Sequence, residues 1–239
     1  MAEKSPYNTF SQIYDYVTDN AAARWLPLLV TTAKKRGAET LLDMGCGTGT
    51  LANQLADRGM YVTGIDASKG MIATAKKNGS GDFFVRDMAD FSLQKKFDMV
   101  TAIDCITHIV DEQNVVKAFR NARKHLNKNG LFMFEVITEN YSYAMSLENG
   151  FGETVGENAF VWEDRNVLDF HVINLSVFLK KKGNQYTRKN EQILQRLYSQ
   201  DTLKKLLKKA GFSQVKTYGS TKLNKVGKHP KELVFVCER

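Results

Sequence analysis

The segment Asp43-Met44-Gly45-Cys46-Gly47-Thr48-Gly49-Thr50 places three glycines at alternate positions directly after a short apolar run, and Asp66 follows 21 residues after Gly45 at the end of a second such run. A glycine-rich turn between a strand and a helix N-terminus lets a ligand approach the backbone where a Cβ would obstruct it. An acid at the end of the next strand stands where ribose hydroxyls can donate to it, so the pair points to a ligand containing adenosine. A dinucleotide fingerprint would read G-x-G-x-x-G, with a pyrophosphate on the helix N-terminus. Here the third glycine comes one residue early, at Gly49, and Thr50 takes the dinucleotide position. Asp43 adds a carboxylate close to the turn, unfavourable beside a pyrophosphate and favourable beside an ammonium group. The spacing therefore predicts an adenosine ligand with an amino acid tail.

The elements that must position these residues follow from periodicity. From Thr9 to Lys35 apolar residues recur at helical spacing, with Asp19-Asn20 as the interruption, so two N-terminal helices are expected. Strand-like and helix-like runs then alternate: Thr40–Met44, Leu51–Asp57, Tyr61–Ile65, Met71–Lys77, Phe83–Val85, Phe97–Ile103, a helix over Asp111–Leu126 stopped near Asn129-Gly130, and a strand over Leu131–Ile137. Apolar strands without polar alternation, separated by helices, predict a parallel sheet buried on both faces. Past residue 138 the pattern changes. Tyr141–Asn158 reads as a polar loop or lid, Phe160–Lys180 and Gln185–Tyr198 as two extended segments turning at Lys182-Gly183-Asn184, then Ser199–Ala210 as a helix stopped by Gly211, and Ser213–Tyr218 and Glu232–Cys237 as closing strands. The expected organisation is one α/β domain over 1–239, with helices at 1–36 and an inserted β-rich cap at 138–198.

Composition excludes several other classes. The longest apolar stretches fall short of a membrane span, and the N-terminus lacks the apolar core of a secretory signal, so a cytoplasmic protein is expected. Cys46, Cys105 and Cys237 form no C-x-x-C pair, and the four histidines show no metal-ligand spacing, so neither a metal site nor a disulfide framework is predicted. The net charge of +8 is concentrated at one end: residues 180–239 hold sixteen Lys and Arg against four Asp and Glu, net +12, leaving −4 for the rest. A basic segment can serve an anionic partner such as RNA or simply form solvated helix faces.

The sequence closely resembles the class I S-adenosylmethionine-dependent methyltransferases. DMGCGTGT is similar to their first motif, GIDASKGMIATAK to the second, FFVRDMADF to the third, FDMVTAIDCITHI to the fourth and LNKNGLFMFEV to the strand after it; LYSQDTLKKLLKKAGFSQVKTYG resembles the end of the family domain. The resemblance implies a Rossmann-like seven-stranded sheet, mostly parallel, with its last strand antiparallel, and S-adenosylmethionine as cofactor. It implies that Asp43 faces the methionine ammonium, that Gly45, Cys46, Gly47 and Gly49 line the methionine moiety, and that Asp66, with Ala67 beside it, holds the ribose. Met71, Asp87 and Met88 would meet the adenine. Tyr14 and Arg24 resemble residues that, in small-molecule methyltransferases, close over the sulfonium and pair with the carboxylate, and Asp104 is a further contact candidate.

Methyl transfer from a sulfonium is an in-line displacement in which the enzyme mainly positions the nucleophile and excludes water. A base helps only an acceptor that starts protonated. His108, just past the fourth strand, is the candidate, with substrate positioning or plain packing as alternatives. Cys46 and Cys105 read as small buried residues rather than nucleophiles. In the cap, Trp162, His171, Tyr186, Arg188, Arg196 and Tyr198 are pocket candidates. WEDRN and EQILQRLYS are similar to a bacterial group of uncharacterised and amino-sugar methyltransferases, in which a His commonly stands at the place of Ile193. A small-molecule N or O acceptor is expected; RNA, a non-catalytic cofactor-binding role and a nicotinamide dehydrogenase are the rivals.

Overall fold

The computed structural model describes residues 7–17, 21–79, 81–146 and 150–239; the expected break at Asp19-Asn20 lies outside them. A 3-10 turn at Phe10–Gln12 leads into helix α1 (Tyr14–Val17) and then α2 (Ala21–Arg36), where Trp25, Leu29 and Ala33, four residues apart, form one buried stripe. Next come β1 (Thr40–Met44), α3 (Thr50–Ala56), β2 (Tyr61–Asp66), α4 (Lys69–Asn78), β3 (Asp82–Val85) and β4 (Phe97–Ala102). A second 3-10 turn at Ile106–His108 precedes α5 (Glu112–His125), which Asp111 caps by accepting the Gln113 N–H at 2.6 Å. Then follow β5 (Leu126–Ile137), α6 (Glu139–Ser146), β6 (Phe151–Val155), β7 (Asn158–Val167), β8 (Phe170–Lys180), β9 (Tyr186–Arg196), α7 (Gln200–Lys209), β10 (Gln214–Tyr218) and β11 (Glu232–Glu238).

Seven strands form one sheet in the order β10-β11-β5-β4-β1-β2-β3, parallel except for β11, which runs antiparallel to both its neighbours. The order reverses at β1, so the C-terminal ends of β1 and β4 open the crevice where ligands bind in such sheets. Buried clusters line both faces: Phe119, Phe132, Phe134 and Phe235 with α5 and α7 on one, and Trp25, Leu29, Leu41 and Met133 with α2 to α4 on the other. The remaining strands make a separate antiparallel sheet, β6-β7-β8-β9. Its inner face carries Phe160, Ile173, Leu175, Val177 and Ile193, closed over by Phe10 and Ile13 from the N-terminal segment.

Three expectations are corrected. The polar stretch Asn127–Gly130 does not end a helix but extends β5, with a register shift against β4 and the Asn127 side chain donating to Asp98 at 2.8 Å. Tyr141–Asn158 contains α6 and β6 rather than an open loop. Phe160–Lys180 is two strands, turning at Leu168-Asp169; Leu168 has φ 56° and is exposed, and no glycine, proline or asparagine at the turn announced it. Among the described residues no helix is long and apolar enough to cross a membrane.

Candidate functional site

At the end of β1 the chain turns back on itself. The N–H groups of Gly45 and Cys46 both donate to the Ile65 carbonyl, at 2.7 and 3.0 Å, which ties the glycine turn to the end of β2. Gly45, Gly47 and Gly49 all have positive φ. A Cβ at Gly45 would come within 2.6 Å of the Cys105 Cβ, and one at Gly49 within 2.8 Å of the Ala75 Cβ, whereas at Gly47 it would meet nothing within 4 Å. Gly45 and Gly49 are thus required by backbone form and packing, and Gly47 leaves open space. Asp66 holds the turn from the other side, accepting the Gly47 N–H at 3.1 Å and the Ser68 N–H at 2.7 Å. Burial raises its pKa, and those two amides counter part of the rise.

Beside the turn lies a cavity of about 860 Å³. Asp43 is on its wall, buried, with the Thr101 hydroxyl donating to it at 2.8 Å. Burial pushes the carboxyl up to about 6, the Thr101 hydrogen bond lowers it and the nearby Asp66 charge raises it. Among the described residues no basic side chain forms an ion pair with Asp43. A buried carboxylate with a hydroxyl partner, on an open wall beside Gly47, fits an ammonium group.

Tyr14, Arg24, Asp43, Gly45, Cys46, Gly47, Asp104 and His108 all line this cavity. The remaining candidates stand off its wall. Gly49 packs toward Ala75 and Phe83. Asp66 ends β2 with Ala67 just after it, Met71 is buried in α4, and Met88 lies beside Gly45 and Cys105. Asp87 is exposed and accepts the Ala89 N–H at 2.8 Å. Arg24 is held by acids: Nη1 donates to Glu232 at 2.6 Å and to Glu135 at 3.2 Å, Nη2 to Glu135 at 3.3 Å, and Asp104 lies 3.5 Å away. Burial, reinforced by the Asp104 charge, holds the Glu135 carboxyl well above the usual range despite Arg24. Cys46 and Cys105 are buried and their thiols are pushed up by desolvation, as fits packed rather than nucleophilic cysteines.

His108 sits on the 3-10 turn after β4. Burial lowers its imidazole to about 4, the Asp104 backbone opposing the shift in part. Its Nε2 lies 3.4 Å from the Gln195 amide on β9, and the Tyr7 ring stands edge-on to it at 5.5 Å. Of the β-rich candidates, Trp162 and His171 reach the cavity. The other four do not. Tyr186 is exposed under Lys180, Arg188 donates to Asn190 and Ser176, Arg196 pairs with Asp169 and Glu112, and the Tyr198 hydroxyl donates to the Ile109 carbonyl. Ile193 is apolar core between its neighbours on the second sheet. Sequence reasoning missed Tyr7, Tyr141, Asp164 and Gln195, all on the wall. Strand pairing selects Asp164, which shares a face with Trp162 two residues away, but only once β7 is known to be a strand.

The chain matches the methyltransferase domain family model over residues 14–217. It is 28% identical over 219 residues to a protein of Geobacillus sp. strain WCH70 designated a methyltransferase, covering 87% of this chain and 89% of that one. Among solved structures it is similar to an S-adenosylmethionine-dependent methyltransferase from Clostridium acetobutylicum, with a TM-score of 0.80, 23% identity, and coverage of 97% and 98% of the two chains. A sugar N-methyltransferase from Streptoalloteichus gives a TM-score of 0.78 at 20% identity, covering 100% of this chain and 94% of that one.

Proposed function

Because the chain belongs to the methyltransferase domain family, we propose that it transfers a methyl group from S-adenosylmethionine to a small-molecule N or O acceptor held between the glycine turn and the second sheet. The observation that carries this is a single cavity with Asp43, Gly45 and Gly47 on one wall and Trp162, Asp164 and His171 on the other. When bound, the cofactor supplies a methyl group already activated on a sulfonium, so the chain's own residues need only bind, orient and exclude water. Asp43 binds the ammonium and the amide edge of Gly45 and Gly47 bounds the methionine end. Asp66, preset by its two backbone amides, takes the ribose hydroxyls, with Ala67, Met71, Asp87 and Met88 toward the adenine. Gly49 keeps α3 and α4 close behind the turn.

The N-terminal segment acts as a lid and the second sheet as the acceptor cap of this one domain. Tyr14 closes one side. Arg24 and Asp104 form the charged wall near the methionine carboxylate. His108, neutral at ordinary pH and facing Gln195, orients the acceptor; with its imidazole near 4 it is a weak base for proton removal. The exposed lysines of α7, Lys204, Lys205, Lys208 and Lys209, stand opposite its buried leucines, as in an ordinary solvated face. The cavity wall itself is acidic, which opposes an RNA phosphate chain.

Calorimetric titration with S-adenosylmethionine and S-adenosylhomocysteine, with NADH as control, tests the cofactor. Binding of the first two alone, followed by radiolabel transfer to a small amine or alcohol, supports the reading. A preference for NADH, or binding of none, defeats it.

A further inference from the structure

Two polar groups on the second-sheet side of the cavity, the Trp162 indole and the Asp164 carboxylate, each carry a buried atom without a hydrogen-bond partner, and a third, His171, stands beside them. Trp162 and Asp164 leave β7 on the same face, and His171 stands on β8, its backbone paired with Asn166. All three side chains line the cavity. The Trp162 Nε1 is buried with no hydrogen-bond partner. Asp164 Oδ1 is also buried; His171 Nε2 lies 2.9 Å from it but out of hydrogen-bonding alignment. The two side chains are 2% and 4% exposed. His171 is fixed from its far side, where Nδ1 lies 2.7 Å from the Ser142 hydroxyl of α6 and 3.0 Å from Asn166 Oδ1. That hydroxyl, fully buried, also lies 2.5 Å from Asn166 Oδ1. The imidazole is therefore clamped and cannot turn away from Asp164.

A buried donor or acceptor left unpaired costs free energy, and folded proteins keep such groups where something else completes them. An indole N–H only donates, so its missing partner is an acceptor oxygen; a carboxylate only accepts, so its missing partner is an N–H or O–H. The described charged residues on the cavity wall are Asp15, Asp43, Asp104, Asp164 and Glu232 against Arg24 and Lys231. That balance favours a cationic donor over a neutral or anionic one. Phe151, stacked on Trp162 with ring centroids 6.1 Å apart, adds an apolar flank.

We propose that Trp162 and Asp164 form the anchoring site for the methyl acceptor, and that it takes an amine with a neighbouring hydroxyl or ether oxygen, the ammonium on Asp164 and the oxygen on the Trp162 N–H. His171, clamped 2.9 Å from the carboxylate, is the positioning residue that limits where Asp164 can turn. This rests on the reading of the cavity as a methyl-transfer site.

The test uses the whole chain labelled with ¹⁵N at its two tryptophans, free and saturated with S-adenosylhomocysteine. Trp162→Phe identifies the Trp162 indole signal, and the Trp25 signal reports an intact core. The probes are trans-2-aminocyclohexanol, cyclohexanol and cyclohexanecarboxylate. The amino alcohol should move the Trp162 signal saturably, with the other two about tenfold weaker or more. Asp164→Asn and His171→Leu should erase that preference while the Trp25 signal and S-adenosylhomocysteine affinity stay unchanged. His171→Gln, which keeps a polar side chain within reach of Ser142 and Asn166 and beside Asp164, should retain most of it. Equal response to all three probes, no response to the amino alcohol, or undiminished amine binding in Asp164→Asn overturns the proposal. Failure of the homocysteine compound to bind would instead sink the cofactor reading, and the free-protein titration would still decide this one.

Discussion

Asp43 shows at the scale of one residue how a site can cost stability. Its folded pKa, about 6, lies above the ordinary 3.8 because burial outweighs the Thr101 hydrogen bond. A raised carboxyl pKa means that the folded state holds the proton more tightly. The stability it contributes is present below pH 4 and is lost as pH rises to 6, an amount on the order of 3 kcal/mol. Asp43→Asn should therefore melt higher than the parent at pH 7.5 while binding S-adenosylhomocysteine at least tenfold more weakly, by charge-assisted hydrogen-bond loss. Differential scanning calorimetry and titration calorimetry read the two effects. In the parent, affinity should fall as pH drops below 6, and the variant should lose that slope. His108 has the opposite sign: burial holds it neutral, so its ring protons should show no titration by NMR between pH 8 and 5. A midpoint near 6.5 would refute the buried, neutral imidazole. The glycine turn and the acids near the ends of β1 and β2 were legible as features because they sit at the ends of plain apolar runs, and Gly45 and Gly49 leave no room for a Cβ. Asp164 was not, because a carboxylate in a polar stretch looks like surface until its strand face is known.

Between elements, the N-terminal segment is a strap joining the two sheets. Glu191 on β9 accepts the N–H of Tyr7 at 2.8 Å and of Thr9 at 2.7 Å. Asn8 accepts from Ser68 and the Gly70 N–H, both at 3.1 Å, at the start of α4. Asp15 accepts the hydroxyls of Thr48 and Thr50, at 2.6 and 3.2 Å, over the glycine turn. One segment thus ties the second sheet to both halves of the cofactor crevice. Removing the Glu191 anchor should loosen the strap where it covers Asp66 and the turn. We expect Glu191→Ala to speed S-adenosylhomocysteine release several-fold, measured by stopped-flow displacement, with little change in melting temperature. An unchanged rate would show that the strap does not gate the crevice. The alternation of strands and helices through Ile137 was readable from apolar runs, because the central strands β1 and β4 are buried on both faces, and only the edge strand β3 exposes one of its faces. The second sheet was blurred for the converse reason: with one face toward solvent and polar residues such as Asp164 and His171 turned inward, its strands lose clean alternation, and the Leu168-Asp169 turn has no glycine, proline or asparagine to mark it.

Across the whole molecule the two sheets differ in how they are sustained. The seven-stranded sheet is covered on both faces by helices and carries two apolar clusters of its own. The four-stranded sheet has one apolar face, and that face is completed by Phe10 and Ile13, 0% and 1% exposed, which reach it from the far end of the chain. Phe10 packs against Phe160 at 6.2 Å and Trp162 at 5.8 Å between ring centroids. No sequence period could reveal this closure, since it joins residues some 150 positions apart. Phe10→Ala removes a fully buried ring, which costs about 3–5 kcal/mol where the cavity does not collapse. Because the loss falls on the smaller sheet, it should appear as local rather than global unfolding. Hydrogen exchange should speed up in β8 and β9 and stay at parent rates in β1 and β4, and S-adenosylhomocysteine binding should weaken as the strap loses the seat that Phe10 gives it. Uniform acceleration across both sheets would instead mean that they unfold as one cooperative unit, with the smaller sheet a fixed wall of the site rather than a part able to open for its acceptor.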